Sequence, residues 1–249
     1  MPRLVPFRLL AACALALALV LSTSIAAGAK GTAVQLRVAG SGNKVVAQEL
    51  LNAATTSIKT SPKATCFGKG TGGSGKSVTI KGPTALGALG QAAKSTAALR
   101  PLLITDHFVS EFGLGLCGIG KSATTSKLSW YLKVNHKNPN KSGETVKLHS
   151  GDEVLWALEP YPYPNELALL APPTADANKP FTVTVFSYDD RGKKKPASGV
   201  TVTGASGPTD GEGHATVTLA GPTVLAATHG KDIPSNQAAV CIGGACPTS

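Results

Sequence analysis

The sequence predicts an α+β unit, with one helix against a mostly antiparallel sheet, followed by an all-β sandwich. Three observations carry this. Residues 82–94, GPTALGALGQAAK, place apolar side chains at helical spacing. Short runs of alternating apolar and polar residues occupy most of the remainder. A proline–tyrosine joint, Glu159-Pro160-Tyr161-Pro162-Tyr163-Pro164, separates residues 30–158 from residues 165–249.

In chain order, Val34-Gln35-Leu36-Arg37-Val38 alternates as a half-buried strand does. Val45 to Leu51 reads as a second extended stretch, although Ala47 to Leu51 also fits a helix. Residues 60–77 are rich in turn formers and lead to a short strand, Val78-Thr79-Ile80. Thr84 is placed to cap the helix, whose inward stripe is Leu86, Leu89 and Ala93. Gly87 and Gly90 each weaken that helix by up to about 1 kcal/mol relative to alanine, which a close approach to a sheet makes tolerable. His107-Phe108-Val109 and Gly115-Leu116-Cys117 read as strand pieces of a hairpin, and Leu128 to Val134 as a strong strand. Asn135 to Gly143 is a polar loop, Thr145 to Leu148 a strand, and Glu153 to Trp156 the closing strand.

Alternating prolines in the joint favour an extended polyproline stretch. Tyr161 and Tyr163 offer their rings to a sugar or corrin or, as is commoner, to a neighbouring domain. Beyond the joint, Glu166 to Leu170 is a candidate strand, and Phe181 to Phe186, Val200 to Val202 and Ala215 to Leu219 alternate cleanly. Asp210-Gly211 signals a turn, and Val224 to Ala227 and Gln237 to Cys241 add strands. Short strands at this spacing suggest a sandwich.

TALGALGQAAK, with SWYLKVNHKNPNKSGETVKLHSGDEVLWAL after it, resembles the transcobalamin-like carboxy-terminal domain of secreted bacterial proteins over residues 33–158. The resemblance implies a β-grasp-like architecture outside the cytoplasm and, for function, capture of a corrinoid or similar ligand. Val134-Asn135-His136 stands where that family usually carries a Val-Asn-Gly turn, and an insertion follows it. In the second half, ASGVTVTG, TDGEGHATVTL and IPSNQAAVCI resemble a bacterial immunoglobulin-like surface module. That resemblance implies a spacer or adhesive unit and lends no catalytic residue.

Arg3 and Arg8 precede an apolar run from Leu9 to Leu21, and Ala27-Gly28-Ala29 follows as a signal-peptidase site does. The run is shorter than the ~20 apolar residues a spanning helix needs. The expectation is therefore a signal peptide over residues 1–29, export, and no transmembrane segment in the mature chain. Leu10-Ala11-Ala12-Cys13 resembles a lipobox, but Cys13 lies in the middle of the apolar run instead of at its end, which disfavours lipidation. The chain carries a net charge of +10 at pH 7 and loses two of those charges with Arg3 and Arg8. Such a surface attracts anionic wall polymers, lipid headgroups or acidic glycans. Aromatics make up 5% of the chain and leave Lys69, Lys76 and Lys81 with Phe67 alone for stacking, so specific nucleic-acid binding is not expected.

Of the five cysteines, Cys13 leaves with the leader. Cys66, Cys117, Cys241 and Cys246 then form an even set in an oxidising compartment, which reads as two disulfides with three possible connectivities. Cys66–Cys117 and Cys241–Cys246 keep each bridge within one unit. On the chain-entropy model they stabilise by roughly 4 and about 2 kcal/mol. No C-x-x-C pair or histidine spacing suggests a metal site, and no cofactor is expected.

Residues 70–77, GTGGSGKS, satisfy the phosphate-cradling pattern G-x-x-x-x-G-K-[ST]. A working loop of that kind follows a buried strand and opens a helix. Here SPKATCFGK precedes it and Val78-Thr79-Ile80-Lys81-Gly82-Pro83 follows, so the reading is a flexible loop beside a disulfide. G-x-S-x-G occurs nowhere, and His107, His136, His149, His214 and His229 fall at turns and strand ends, which argues against a hydrolase. Asp189-Asp190 with Arg191 to Lys195 reads as a charged hairpin loop, solvated or touching a polyanion. The composite expectation is a secreted or surface binding protein that is not an enzyme.

Overall fold

A computed structural model describes residues 31–248. The leader assigned to residues 1–29, with Cys13, lies outside the described residues. The fold is mostly strand, and among the described residues one helix exceeds a single turn. None of the described helices is long and apolar enough to cross a membrane.

β1 (Thr32–Gly40) and β2 (Lys44–Ala53) pair antiparallel with a bulge at Val38/Ala39, so residues 45–51 are extended, not helical. β3 (Thr56–Lys59) pairs antiparallel with β4 (Ser77–Ile80) across the glycine-rich loop. After α1 (Ala85–Ser95) come β5 (Leu102–Thr105), the one-turn α2 (Val109–Phe112), β6 (Gly115–Ile119) and β7 (Ser122–Ala123). β8 (Ser129–Val134) and β9 (Glu153–Glu159) complete a four-stranded sheet in the order β2-β1-β9-β8. Its β1–β9 pair is parallel and its other pairs are antiparallel.

Two expected strands are absent. The hairpin strand is Leu102–Thr105, not His107 to Val109, because Val109 N–H turns back onto Asp106 O and the chain coils into α2. Thr145 to Leu148 instead straps the start of the helix: Val146 O accepts from Ala85 N–H at 3.1 Å, and Leu148 N–H donates to Pro83 O at 3.0 Å.

The Thr84 hydroxyl accepts from Gly87 N–H at 3.1 Å and caps α1. Leu86, Leu89 and Ala93 are buried as their spacing requires. Burial extends to Ala88, Ala92 and both glycines, because β3 and the Gly143 turn cover the flanks of the helix. With Val34, Leu36, Val38, Leu132 and Trp156 from the sheet, the helix forms the first core.

Beyond the joint lie β10 (Glu166–Leu170), β11 (Thr174–Ala175), β12 (Pro180–Tyr188), β13 (Lys194–Pro196), β14 (Thr201–Val202), β15 (His214–Thr218), β16 (Thr223–Leu225), β17 (Ala227–Thr228) and β18 (Ala238–Ile242). β12 is the hub and pairs antiparallel with β10, β13 and β15. β18 joins β11 and β16 in a second small sheet. The stretch expected as one strand from Val224 to Ala227 divides, since β16 pairs with β18 and β17 with β14. Leu167, Val185, Val217, Leu225 and Val240 anchor a separate core. Ala39, Tyr131, Leu155, Ala157 and Ile233, with Tyr163 against them, seal the seam between the two halves. The joint is therefore a short bend against that seam and not a free spacer.

Cys66 is bonded to Cys117, which ties the glycine-rich loop to β6, and Cys241 is bonded to Cys246 at the last hairpin. A Cβ on Gly90 would stand 2.4 Å from Ile58 Cδ1 and 2.6 Å from Cγ1. Helix propensity favours alanine there by up to about 1 kcal/mol, but overpacking a filled core costs about 1–3 kcal/mol. Gly90→Ala is expected to lower stability, as read from urea unfolding midpoints.

Candidate functional site

The phosphate-loop pattern is not a nucleotide site. Lys76 and Ser77 lead into strand β4, so the motif does not open the helix whose amino terminus would hold phosphates. Nor is the loop flexible, as its composition suggested. Ser74 donates through its N–H and hydroxyl to Asp106 at 2.7 and 2.6 Å, and Gly73 N–H donates to Ser61 O at 2.8 Å. A Cβ at Gly72 would stand 2.2 Å from Pro62 O, so the loop is packed backbone on backbone.

Among the described residues no three His, Cys, Asp or Glu side chains group as metal ligands. His149 and His229 pair locally with Asp152 and Asp232, and no histidine ring bonds a serine, threonine or cysteine side chain among those residues. His136 is different. Asn135 and His136 hold left-handed φ of 50° and 66° at the centre of a tight turn closed by Val134 and Lys137. Glycine suits the second of these positions best. The histidine ring stacks on Tyr188 with centroids 3.8 Å apart, and its Nδ1 lies 3.0 Å from Glu166 Oε1.

Glu166, buried at the start of β10, is the hub of the seam. Arg37 of β1 binds its Oε1 through Nη2 and donates through Nη1 to Pro234 O at 2.8 Å. Lys133 of β8, fully buried, stands 3.4 Å from Oε2 and donates to Asp189 O at 3.0 Å. Burial alone would raise the carboxyl, but the His136 hydrogen bond and the Arg37 and Lys133 charges outweigh it and hold it below the ordinary glutamate range. Burial lowers Arg37 and Lys133 from their usual values, against the pull of Glu166. The charged loop after β12 is therefore docked through its backbone and Asp190, while Arg191 and Lys193 to Lys195 stay exposed as expected. Tyr131 donates its hydroxyl to Asp190, Asn138 N–H donates to Asp190 O at 3.0 Å, and Asp189 Oδ1 caps the N–H groups of Arg191 and Lys193.

This docking shapes an open cleft of about 690 Å³ on the β8 side. Seven of the chain's twelve aromatic residues line it, in a protein only 5% aromatic. At one end Phe67 and Phe112 lie 5.3 Å apart, and Phe67 covers Gly115, where a Cβ would meet its ring at 2.5 Å. The Cys66–Cys117 bond anchors that wall. At the other end Tyr163 stacks on Tyr131 at 3.8 Å, while Tyr161 stands edge-on to Tyr163 and is 83% exposed. Both tryptophans, Trp130 and Trp156, line the cleft as well. Tyr163 thus packs against its own neighbour, whereas Tyr161 keeps a free ring. Trp130 Nε1 and Thr124 Oγ1, both on cleft-lining residues, have no hydrogen-bond partner. Of the residues singled out from sequence, Cys66, Tyr161, Tyr163 and Asp190 meet at this cleft. Trp130 and Phe112 were not recognised there, nor Lys133 at the seam, because nothing in a local pattern shows what other segment will cover it.

Glu166→Gln leaves Arg37 and Lys133 buried without a carboxylate and is expected to cost about 3–5 kcal/mol in urea unfolding at pH 7. Glu159, 2% exposed with Oε1 unpaired, is pushed up by burial to about 7. A raised carboxyl stabilises fully below its unfolded value, and that contribution fades as pH rises through the folded one. The protein is therefore expected to lose on the order of 2 kcal/mol between the ordinary glutamate range and neutrality. Glu159→Gln removes this loss, so the wild-type and variant pH–stability curves diverge towards pH 8.

Compared with known proteins, the chain matches no family model, no curated sequence and no solved structure.

Proposed function

We propose that this is an exported, non-catalytic binding protein of the cell surface or its surroundings, and that the cleft is where it binds. The concentration of aromatic side chains in one open cleft carries the reading, since ligand sites are concave and apolar with a few placed polar groups. Two disulfides support an oxidising compartment. One helix packed across a four-stranded sheet supports a β-grasp-like, transcobalamin-like first unit. Three small sheets sharing one core support an immunoglobulin-like second unit. The net charge favours an anionic wall or surface polymer as partner.

Corrinoid capture is the alternative, and the flat tyrosine and tryptophan faces are the feature that favours it. No histidine lines the cleft, so its walls offer cobalt no imidazole.

Both tryptophans of the chain line the cleft, so their fluorescence reports its occupancy. Titration with purified anionic wall polymer is expected to give a saturable, salt-sensitive change that Tyr161→Ala weakens. A saturable quench by cobalamin, lost in Tyr161→Ala, would assign the corrinoid reading instead. Silence in both titrations would sink the cleft as a binding site.

A further inference from the structure

The ring arrangement and charge of the cleft narrow its ligand, and the inference rests on the binding reading above. We propose that the cleft holds a short run of an acidic saccharide chain, with one sugar on the tyrosine end, another towards the phenylalanine end, and a carboxylate or sulfate of the ligand at Lys141.

Two separate ring clusters line the cleft. Phe67 and Phe112 contact each other, backed by Phe108 outside the lining, Tyr163 contacts both Tyr131 and Tyr161, and no ring contact joins the two groups among the described residues. A single flat ring would need one platform. Two platforms in one cleft, with polar side chains beside the rings, suit a chain of rings whose C–H faces are apolar and whose edges carry hydroxyls. Asn138, Asn140 and Ser142 line the same cleft. Asn138 Oδ1 accepts from Asn140 N–H at 2.7 Å and its amide N–H₂ is turned to the Tyr131 hydroxyl, which leaves one of its two hydrogens to donate to a saccharide hydroxyl.

Charge decides between neutral and acidic chains. The cleft has one acid, Asp190, which the Tyr131 hydroxyl engages. Its one cation, Lys141, is exposed and makes no ion pair among the described residues. The whole chain is strongly positive as well. An anionic ligand is drawn in by the overall field and finds one uncommitted partner on arrival. A cationic ligand is opposed by that overall field, and the carboxylate it would meet, Asp190, already accepts from the Tyr131 hydroxyl.

The test uses the full mature chain, residues 30–249, with α- and β-linked 1,4-hexuronate tetrasaccharides and their carboxyl-reduced, neutral counterparts. Tryptophan fluorescence and titration calorimetry follow binding. At least one acidic tetramer is expected to bind about tenfold or more tighter than its neutral counterpart. Tyr161→Ala and Lys141→Ala, both at exposed side chains, are each expected to weaken it about fivefold or more. Circular dichroism of both variants checks that they fold. Equal binding of acidic and neutral tetramers overturns the charge assignment, and binding untouched by Tyr161→Ala overturns the site. If every tetramer is silent while wall polymer or cobalamin still gives a Tyr161-dependent signal, the saccharide class is wrong and the cleft stands. Silence throughout removes both.

Discussion

A single buried carboxylate, that of Glu166, holds the two halves of this chain in register. Ionised and out of water, it is tolerable only with partners, and the fold supplies them from three directions: Arg37 on β1, Lys133 on β8 and His136 in the turn that follows. Two of these partners sit on the outer face of the four-stranded sheet, which a free-standing domain would show to water. Their burial makes sense only with the second half in place. His136 accepts a left-handed backbone that glycine would adopt more easily, and in return its ring reaches both Glu166 and Tyr188.

From that fixed seam the cleft follows. Lys133 draws in the carbonyls of Tyr188 and Asp189, which sets the loop that carries Asp190 beside Tyr131. Tyr131 in turn is the floor on which Tyr163 stacks, and Tyr163 sets the position of Tyr161. The opposite wall is independent of this chain of contacts. It is the disulfide-tethered Phe67 lying over Gly115. One wall is therefore held by electrostatics and aromatic stacking across the seam, the other by a covalent bond within the first half.

Local pattern made part of this legible. The helix was plain because capping residue and apolar spacing agree at Thr84, Leu86 and Leu89, and β12 because its alternation runs unbroken. Strand pairing over long distances was not. Arg37 looks like the solvated face of β1 until Glu166, 129 residues further on, covers it. Lys133 in LSWYLKV reads the same way. The glycine-rich stretch misled in the other direction: composition suggested mobility, while the close approach of Gly72 to Pro62 and the clasp of Asp106 on Ser74 make it rigid. In each case the deciding partner lies elsewhere in the chain, where no local window can see it.

The sheet's outer face has a consequence for how such a protein can evolve. A module that carries its own core but hides charges under its neighbour cannot be shuffled freely into other architectures. Transplanted alone, the first half would bring a guanidinium and an ammonium with no counter-ion, together with a bare patch around Tyr131 and Leu155. The two halves stand or fall as one piece, and lengthening the bend between them would loosen what the charges hold.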